Sequence, residues 1–280
     1  MRTGFLCALM LFGMVLASEP FATYDQAKWY HCHSAQQTEV AMALLGKHTF
    51  SGGERILHLN SRTGRISAYL AMRFPETEVV GIEKNRGMYS FAKRNHPKRL
   101  FPNLSFEFVD FSEKKFEGNF DCVVSTSSLH WYENQMEVLK FAYNALKKGG
   151  RVIFSVPCRP MPGMLAAFED LLNQDPWKEY VKDYKSARAK YPAQEYEKLL
   201  KEAGFSECQV ETVERTHLFM NKRDFIDWYK AFSPLLEYIP QNKRNKFLED
   251  FAECYIKHIP LNVMGCISLT QKELFIHASK

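Results

Sequence analysis

Two short stretches hold the residues whose types and spacing can do chemistry. Ile56-Leu57-His58-Leu59-Asn60-Ser61-Arg62-Thr63-Gly64 leads from an apolar run of strand length into a polar turn, and Val79-Val80-Gly81-Ile82-Glu83 is a second apolar run ending in a carboxylate. A strand, a tight turn, a helix and a second strand with an acidic end form the layout that cradles an adenosine-containing cofactor. The turn's backbone approaches the ligand and the carboxylate accepts the ribose hydroxyls. Glu83 can accept both hydroxyls through its two oxygens, a geometry that a neutral side chain reproduces poorly. Two positions where such turns usually carry glycine hold Asn60 and Arg62.

The elements needed to position these residues are legible on either side. Arg55 to Asn60, Val79 to Glu83, Leu104 to Val109, Phe120 to Ser125 and Arg151 to Val156 read as strands. Between them Gly64 to Phe74, Gly87 to Arg94 and Gln135 to Lys147 carry apolar residues at helical spacing, the last expected to close at Gly149-Gly150. Such alternation implies parallel pairing through right-handed crossovers, with helices on both faces and ligands beyond the carboxyl ends of the strands. The expected fold is therefore α/β: a doubly wound, Rossmann-like, seven-stranded sheet, mostly parallel with an antiparallel last strand. Gln209 to Phe219 and Cys266 to Ala278 supply its two late strands. Tyr24 to Leu45 reads as one amphipathic helix, while Met161 to Lys190, Gln194 to Glu202, Phe225 to Phe232 and Lys246 to Ile259 are helical and would cover the ligand side. The expected organisation is a leader at 1–17, a helical N-terminal cap at 18–54, a cofactor-binding core at 55–157, and at 158–280 a helical lid with the last strands of the same sheet.

The bulk composition is that of a globular chain: 280 residues, 46% hydrophobic, 25% charged, with a net charge of +5 too dispersed to suggest nucleic acid. Arg2 before the apolar run Phe5 to Ala17, closed by Val15-Leu16-Ala17, has the form of a secretory signal peptide, too short for a membrane span. The mature chain is thus expected to be exported, or cytoplasmic if the leader does not function, without stable membrane association and monomeric. Six cysteines beyond the leader are widely spaced with no C-x-x-C pair, and Cys122 reads as a small buried hydrophobe. His31 and His33 face apart on a helix, so no metal site is expected.

With the order of elements in place, the chain resembles class I S-adenosylmethionine-dependent methyltransferases. The resemblance rests on Gly81-Ile82-Glu83, the Asp110 strand end, Phe120 to Ser125 followed by Leu129-His130-Trp131, and Leu146-Lys147-Lys148-Gly149-Gly150 before a strand. The Leu-His-Trp segment, with Phe225-Ile226-Asp227-Trp228 and Pro234-Leu235-Leu236, more narrowly resembles the trans-aconitate and juvenile-hormone-acid methyltransferases, which esterify small carboxylic acids. The resemblance implies S-adenosylmethionine as cofactor and a small-molecule acid as substrate. It places Asn60, Arg62, Gly64, Glu83, Met88, Asp110, Phe111 and Ser125 around the cofactor. Asp110 would accept the adenine amino group or is a surface turn residue, Phe111 or Met88 would pack the ring, and Ser125 to Ser127 would lie beside the methionine tail. His130 and Trp131 would serve the transfer, His130 either bonding the acceptor carboxylate or pairing with backbone, and Trp131 would shape the acceptor pocket together with Trp29 and Tyr30, which either line it or simply pack on the core.

The chain departs from the family's pattern at the end of the first strand. There the family has an acidic residue and a Gly-x-Gly-x-Gly turn, whereas here His58 precedes Asn60-Ser61-Arg62-Thr63-Gly64. Asn tolerates left-handed backbone, but Arg62 starts a long cationic side chain where the backbone should touch the ligand. Its guanidinium either turns outward, pairs with the cofactor's carboxylate, or fills the methionine pocket. Two readings stay open: an O-methyltransferase for a small carboxylic acid, and a non-catalytic descendant acting as an exported binding or effector module. A nicotinamide-dependent oxidoreductase is disfavoured, because it has no place for the Gly149-Gly150 turn or the Leu-His-Trp segment.

Overall fold

The computed structural model describes residues 23–110, 116–158, 161–184 and 191–280. The expected leader and Phe111 lie outside the described residues. In chain order the elements are helices α1 (Tyr24–His33) and α2 (Ala35–Leu45), strand β1 (Arg55–Leu59), α3 (Arg65–Arg73), β2 (Glu78–Glu83), α4 (Arg86–Asn95), β3 (Leu104–Phe108), β4 (Phe120–Thr126), α5 (Gln135–Ala145) and β5 (Leu146–Pro157). They continue through α6 (Pro162–Leu172), α7 (Trp177–Val181), α8 (Ala193–Glu202), β6 (Ser206–Phe219), α9 (Lys222–Lys230), α10 (Arg244–His258) and β7 (Ile267–Ser279).

One seven-stranded sheet runs in the order β3-β2-β1-β4-β5-β7-β6. Strands β1 to β5 pair in parallel, and β7 runs antiparallel to both β5 and β6. Successive side chains point to opposite faces, so each apolar strand feeds two cores. Leu57, Leu59, Val80, Ile82 and Val123 pack under α5 and α8, while Ile56, Val79, Cys122, Val124 and Ile153 pack under α2 and α3. The sheet turns back at β1, between β2 and β4, and that reversal opens the crevice beyond the strand ends.

The outer part of the sheet supports the lid. Only Glu273–Ser279 of β7 pairs with β5, whereas Ile267 to Lys272 pairs with β6 alone. This two-stranded extension carries Phe219, Ile267 and Leu269 into a separate core with α6, α7, α9 and α10. The lid thus grows from the same sheet as the crevice. Among the described residues no helix is long and apolar enough to cross a membrane, and no cluster of potential metal ligands is found.

Two local expectations are corrected. The N-terminal segment is not one helix: it breaks at Ser34, whose backbone leaves helical geometry (φ −103°, ψ 36°). Ser and its neighbours can satisfy backbone groups locally, and the break lets α1 pack on α4 and α9 while α2 lies on the sheet. Nor does the helix before Gly149-Gly150 reach those glycines. It ends at Ala145, and Leu146 already pairs with Phe120, so Lys147 to Gly150 form an irregularity inside β5 rather than a helix stop.

The first turn is locked to the second strand by an aromatic wedge. A Cβ on Gly64 would lie 2.6 Å from Phe106 Cζ and 3.0 Å from Ala92 Cβ, at a backbone φ of +78°. A Cβ on Gly81 would meet Phe106 at 2.8 Å and the Ser61 side chain at 2.9 Å. The phenyl ring occupies the slot that these two missing side chains leave. Gly64→Ala should therefore lower the unfolding free energy by about 2–4 kcal/mol, combining left-handed strain with overpacking. Urea denaturation checks this, and an unchanged midpoint would contradict the wedge.

Candidate active site

The turn after β1 keeps the backbone path of a glycine-rich loop with other residues. Asn60, Arg62 and Gly64 have φ of 53°, 54° and 78°, the left-handed region that costs a non-glycine residue about 1–2 kcal/mol. Hydrogen bonds oppose that strain. Ser61 N donates to Ile82 O at 2.9 Å and Gly64 N to Ser61 O at 2.9 Å. The Asn60 amide accepts from Tyr132 Oη at 2.6 Å and donates to Ser128 Oγ at 3.3 Å, tying the turn to the segment after β4.

Glu83 stands at the centre of this arrangement. Its carboxylate accepts Arg62 N at 2.8 Å on one oxygen and Asn85 N at 2.8 Å on the other. The side chain is only 4% exposed. Burial raises its carboxyl pKa, opposed by the Arg62 charge and by those two N–H donors. It borders a cavity of about 270 Å³ shared with Asn60, Arg62, Lys84, Asn85, Ser128, Trp131, Tyr132, Phe232 and Pro234.

Two smaller recesses adjoin it. An inner cavity of about 50 Å³ is lined by Tyr30, Gln36, Gln37, Arg62, Ser127, His130, Trp131, Trp228, Phe232 and Gln271, among others. A recess of about 30 Å³ under the turn is lined by Tyr30, Ser34, Thr38, His58, Ser61, Arg62, Arg65 and Thr126, among others. Buried polar atoms without a protein hydrogen-bond partner border both: Gln37 Oε1, Ser127 Oγ and Trp228 Nε1 at the inner cavity, and His58 Nε2 and Ser61 Oγ under the turn. Buried polar atoms in folded proteins are normally paired, so this concentration suits a polar ligand.

His58 replaces the family's acid with a neutral group. Its Nδ1 lies 2.8 Å from Ser67 Oγ, and complete burial lowers its pKa to about 4. The strand end therefore carries no negative charge of its own, and Glu83 is the carboxylate lining the outer cavity. Arg65 is tied to Thr38 Oγ1 at 2.9 Å and to the His31 carbonyl.

Of the residues singled out from the sequence, Asn60, Arg62, Glu83, Tyr30, His130 and Trp131 line these cavities. Others stand back from them. Met88 is fully buried, packing with Ala27, Tyr30 and Phe91. Ser125 lies behind Ser128, with 2.7 Å between their hydroxyls. Gly64 backs onto Phe106, and Asp110 pairs with Lys84 at 3.6 Å outside the lining of the three cavities. Trp29 turns away to α9, donating to Asp227 O at 3.3 Å with its ring stacked on His33. Sequence reading missed Gln36, Gln37, Tyr132, Phe232 and Gln271. The Trp228 motif was visible but its place was not, and Gln271 reaches the site only because the β6–β7 hairpin overruns β5.

A family model described as a methyltransferase domain matches residues 50–211. The chain belongs to the class I methyltransferases. S-adenosylmethionine is the cofactor of this methyltransferase, and the lining fits it: a buried carboxylate at the second strand's tip, an intact turn, and unpaired polar atoms beneath it. The juvenile hormone acid O-methyltransferase of Drosophila melanogaster is 24% identical over 246 residues, covering 83% of this chain and 81% of that protein. A trans-aconitate 2-methyltransferase of Escherichia coli is 24% identical over 254 residues, covering 88% and 94%. Among solved structures, the phosphoethanolamine N-methyltransferase 2 of Haemonchus contortus in complex with S-adenosyl-L-methionine superposes with a TM-score of 0.59 at 16% identity, over 92% of this chain and 57% of that one. At that identity the likeness is one of fold.

The buried His58 makes this methyltransferase acid-sensitive in a defined window. Its folded pKa lies below its unfolded value, so the unfolded chain binds more protons between about pH 4 and 6.5. The stabilisation is complete above pH 6.5 and falls as pH drops toward 4, by about 3 kcal/mol in all. His31 and His48 are also lowered to about 4, so the His58 share is the difference between wild type and His58→Asn in denaturation midpoints across that range. Parallel pH curves would refute it.

Proposed function

We propose that this methyltransferase O-methylates a small carboxylic acid. One observation carries the reading: an inner cavity, walled by Trp131, Trp228 and Phe232 and supplied with amide, indole and hydroxyl groups, adjoins the cavity that holds Glu83. In this reading Glu83 holds the ribose, the recess at His58 and Ser61 takes the amino-acid tail, and the inner cavity takes the acceptor. The 24% identity to two acid methyltransferases supports the same substrate class. The non-catalytic reading gains no support from the turn, whose left-handed backbone persists at Asn60 and Arg62.

When bound, S-adenosylmethionine supplies a methyl group already activated on a sulfonium, which an ionised carboxylate oxygen can accept without losing a proton. The chain's residues then have little acid–base work. Trp131, Trp228 and Phe232 exclude water from the junction of the two cavities. Trp228 Nε1 and the Ser127 hydroxyl donate hydrogen bonds to the acceptor, with His130 beside them, and Tyr132 keeps the Asn60 turn in place.

Isothermal titration with S-adenosylhomocysteine tests the cofactor half: Glu83→Ala should weaken binding by about 1–3 kcal/mol, the loss of a charged hydrogen-bonding partner. Equal affinity in the variant would remove the ribose from Glu83. Methyl transfer to small acids should stay level across neutral and mildly alkaline pH, because no general base titrates. A bell-shaped profile there would argue for a proton-abstracting residue and against a carboxylate acceptor.

A further inference from the structure

We propose that the inner cavity takes a short hydroxylated carboxylic acid, of about two to four carbons, as the methyl acceptor, with Gln37 on α2 selecting the hydroxyl and Phe232 limiting the length. The inference rests on the acid-methylating reading above and deepens it by naming the kind of acid. Buried side-chain atoms that border this cavity without a protein hydrogen-bond partner include Trp228 Nε1, Ser127 Oγ and Gln37 Oε1. They are of two kinds. The indole N–H only donates and the hydroxyl can donate, so both suit a carboxylate, which only accepts. The Gln37 carbonyl oxygen also only accepts, so a carboxylate leaves it unanswered, and a buried acceptor left unpaired costs free energy. It calls for a donor elsewhere on the same ligand. A hydroxyl meets that need in either orientation of the amide, since it can donate to the oxygen or accept from the nitrogen. An ammonium could not accept, and would add a positive charge beside the cofactor's sulfonium.

The walls hold the acceptor to a small size. The cavity is about 50 Å³, whereas benzene fills a cavity of about 150 Å³. With the carboxylate at the junction with the outer cavity, only a short chain fits behind it. Phe232 lines both cavities and meets the Trp228 ring edge-on, with 4.6 Å between centroids, so it partitions the space. On another side Gln36 Nε2 donates to Gln271 Oε1 at 3.2 Å, and Gln271 Nε2 donates on to Glu273, tying α2 to β7. A longer chain pushing between α2 and β7 would have to break that tie. Gln36 and Gln271 are committed to each other, which leaves Gln37 as the glutamine of this wall with an unanswered buried oxygen.

The test is isothermal titration of the full chain, saturated with S-adenosylhomocysteine, with propionate, lactate, alanine, butyrate, 3-hydroxybutyrate, hexanoate and trans-aconitate. At least one hydroxy acid should bind roughly 3- to 10-fold more tightly than the acid of equal length without the hydroxyl, the range for one net hydrogen bond. Lactate should bind more tightly than alanine. Hexanoate, and trans-aconitate, which when ionised has no donor, should bind more weakly than the preferred hydroxy acid. Gln37→Leu should bring the hydroxyl preference close to one without weakening butyrate, and Phe232→Ala should strengthen hexanoate relative to butyrate. Wild-type ratios near one in both pairs, or alanine, hexanoate or trans-aconitate as the tightest ligand, overturn the proposal. The wild-type series decides this even where a variant fails to fold. Gln37 also borders the recess under the turn. A hydroxyl preference that survives Gln37→Leu, with S-adenosylhomocysteine bound more weakly, gives that amide to the cofactor and overturns its assigned role. Incubation with S-adenosylmethionine separates the proposal from the reading beneath it. Esters of hexanoate or trans-aconitate but of no hydroxy acid keep acid methylation and sink the hydroxyl. A hydroxyl preference with no ester formed from any acid keeps the hydroxy-acid site and sinks acid methylation.

Discussion

The buried carboxylate of Glu83 is the constraint on which the rest of the crevice depends. One oxygen takes the N–H of Arg62 from the first turn and the other takes that of Asn85 from the start of α4. A charge this deeply buried is tolerable only with such partners. In satisfying it, the chain fastens the ends of β1 and β2 to each other and to a helix start. In the reading proposed above, the same two oxygens would also hold the cofactor's ribose, so one group would serve both the structural bond and binding.

The turn shows how a glycine-rich loop can be rebuilt from other residues. Left-handed backbone at Asn60 and Arg62 is unfavourable in isolation, yet the neighbourhood over-determines it. Asn60 is held by Tyr132 and Ser128, Arg62 by Glu83, and Gly64 by the Phe106 wedge. Glycine survives only at the position where a Cβ has no room. At the other two positions a side chain fits, and each side chain gives the site something glycine lacks: a polar tie to the segment after β4, and a cation among three cavities.

The lid extends the same logic. Because β7 and β6 continue past the end of β5, their free stretch forms a platform for α9 and α10. The platform puts Gln271, Trp228 and Phe232 against residues from α1, α2 and the segment after β4. Gln36 and Gln271 meet at 3.2 Å across 235 residues of sequence separation. Helices from both ends of the chain thus close over one crevice.

The parallel core was legible in the sequence because strand and helix periods are local properties, and because Gly64, Gly81 and Glu83 mark where a backbone must approach and a charge must sit. The break at Ser34 and the early end of α5 were not, since both depend on which neighbour an apolar face finds rather than on spacing. Trp29 and Trp131 looked equally suited to a pocket, but only packing against α9 turned Trp29 away. By itself the sequence determined the order of the elements, the acidic strand end and the presence of a cation in the turn, all properties of residue type and short-range spacing. Where that cation lies, which tryptophans face the cavity and how Gln271 arrives there were decided by tertiary structure, because they depend on contacts between segments far apart in the chain.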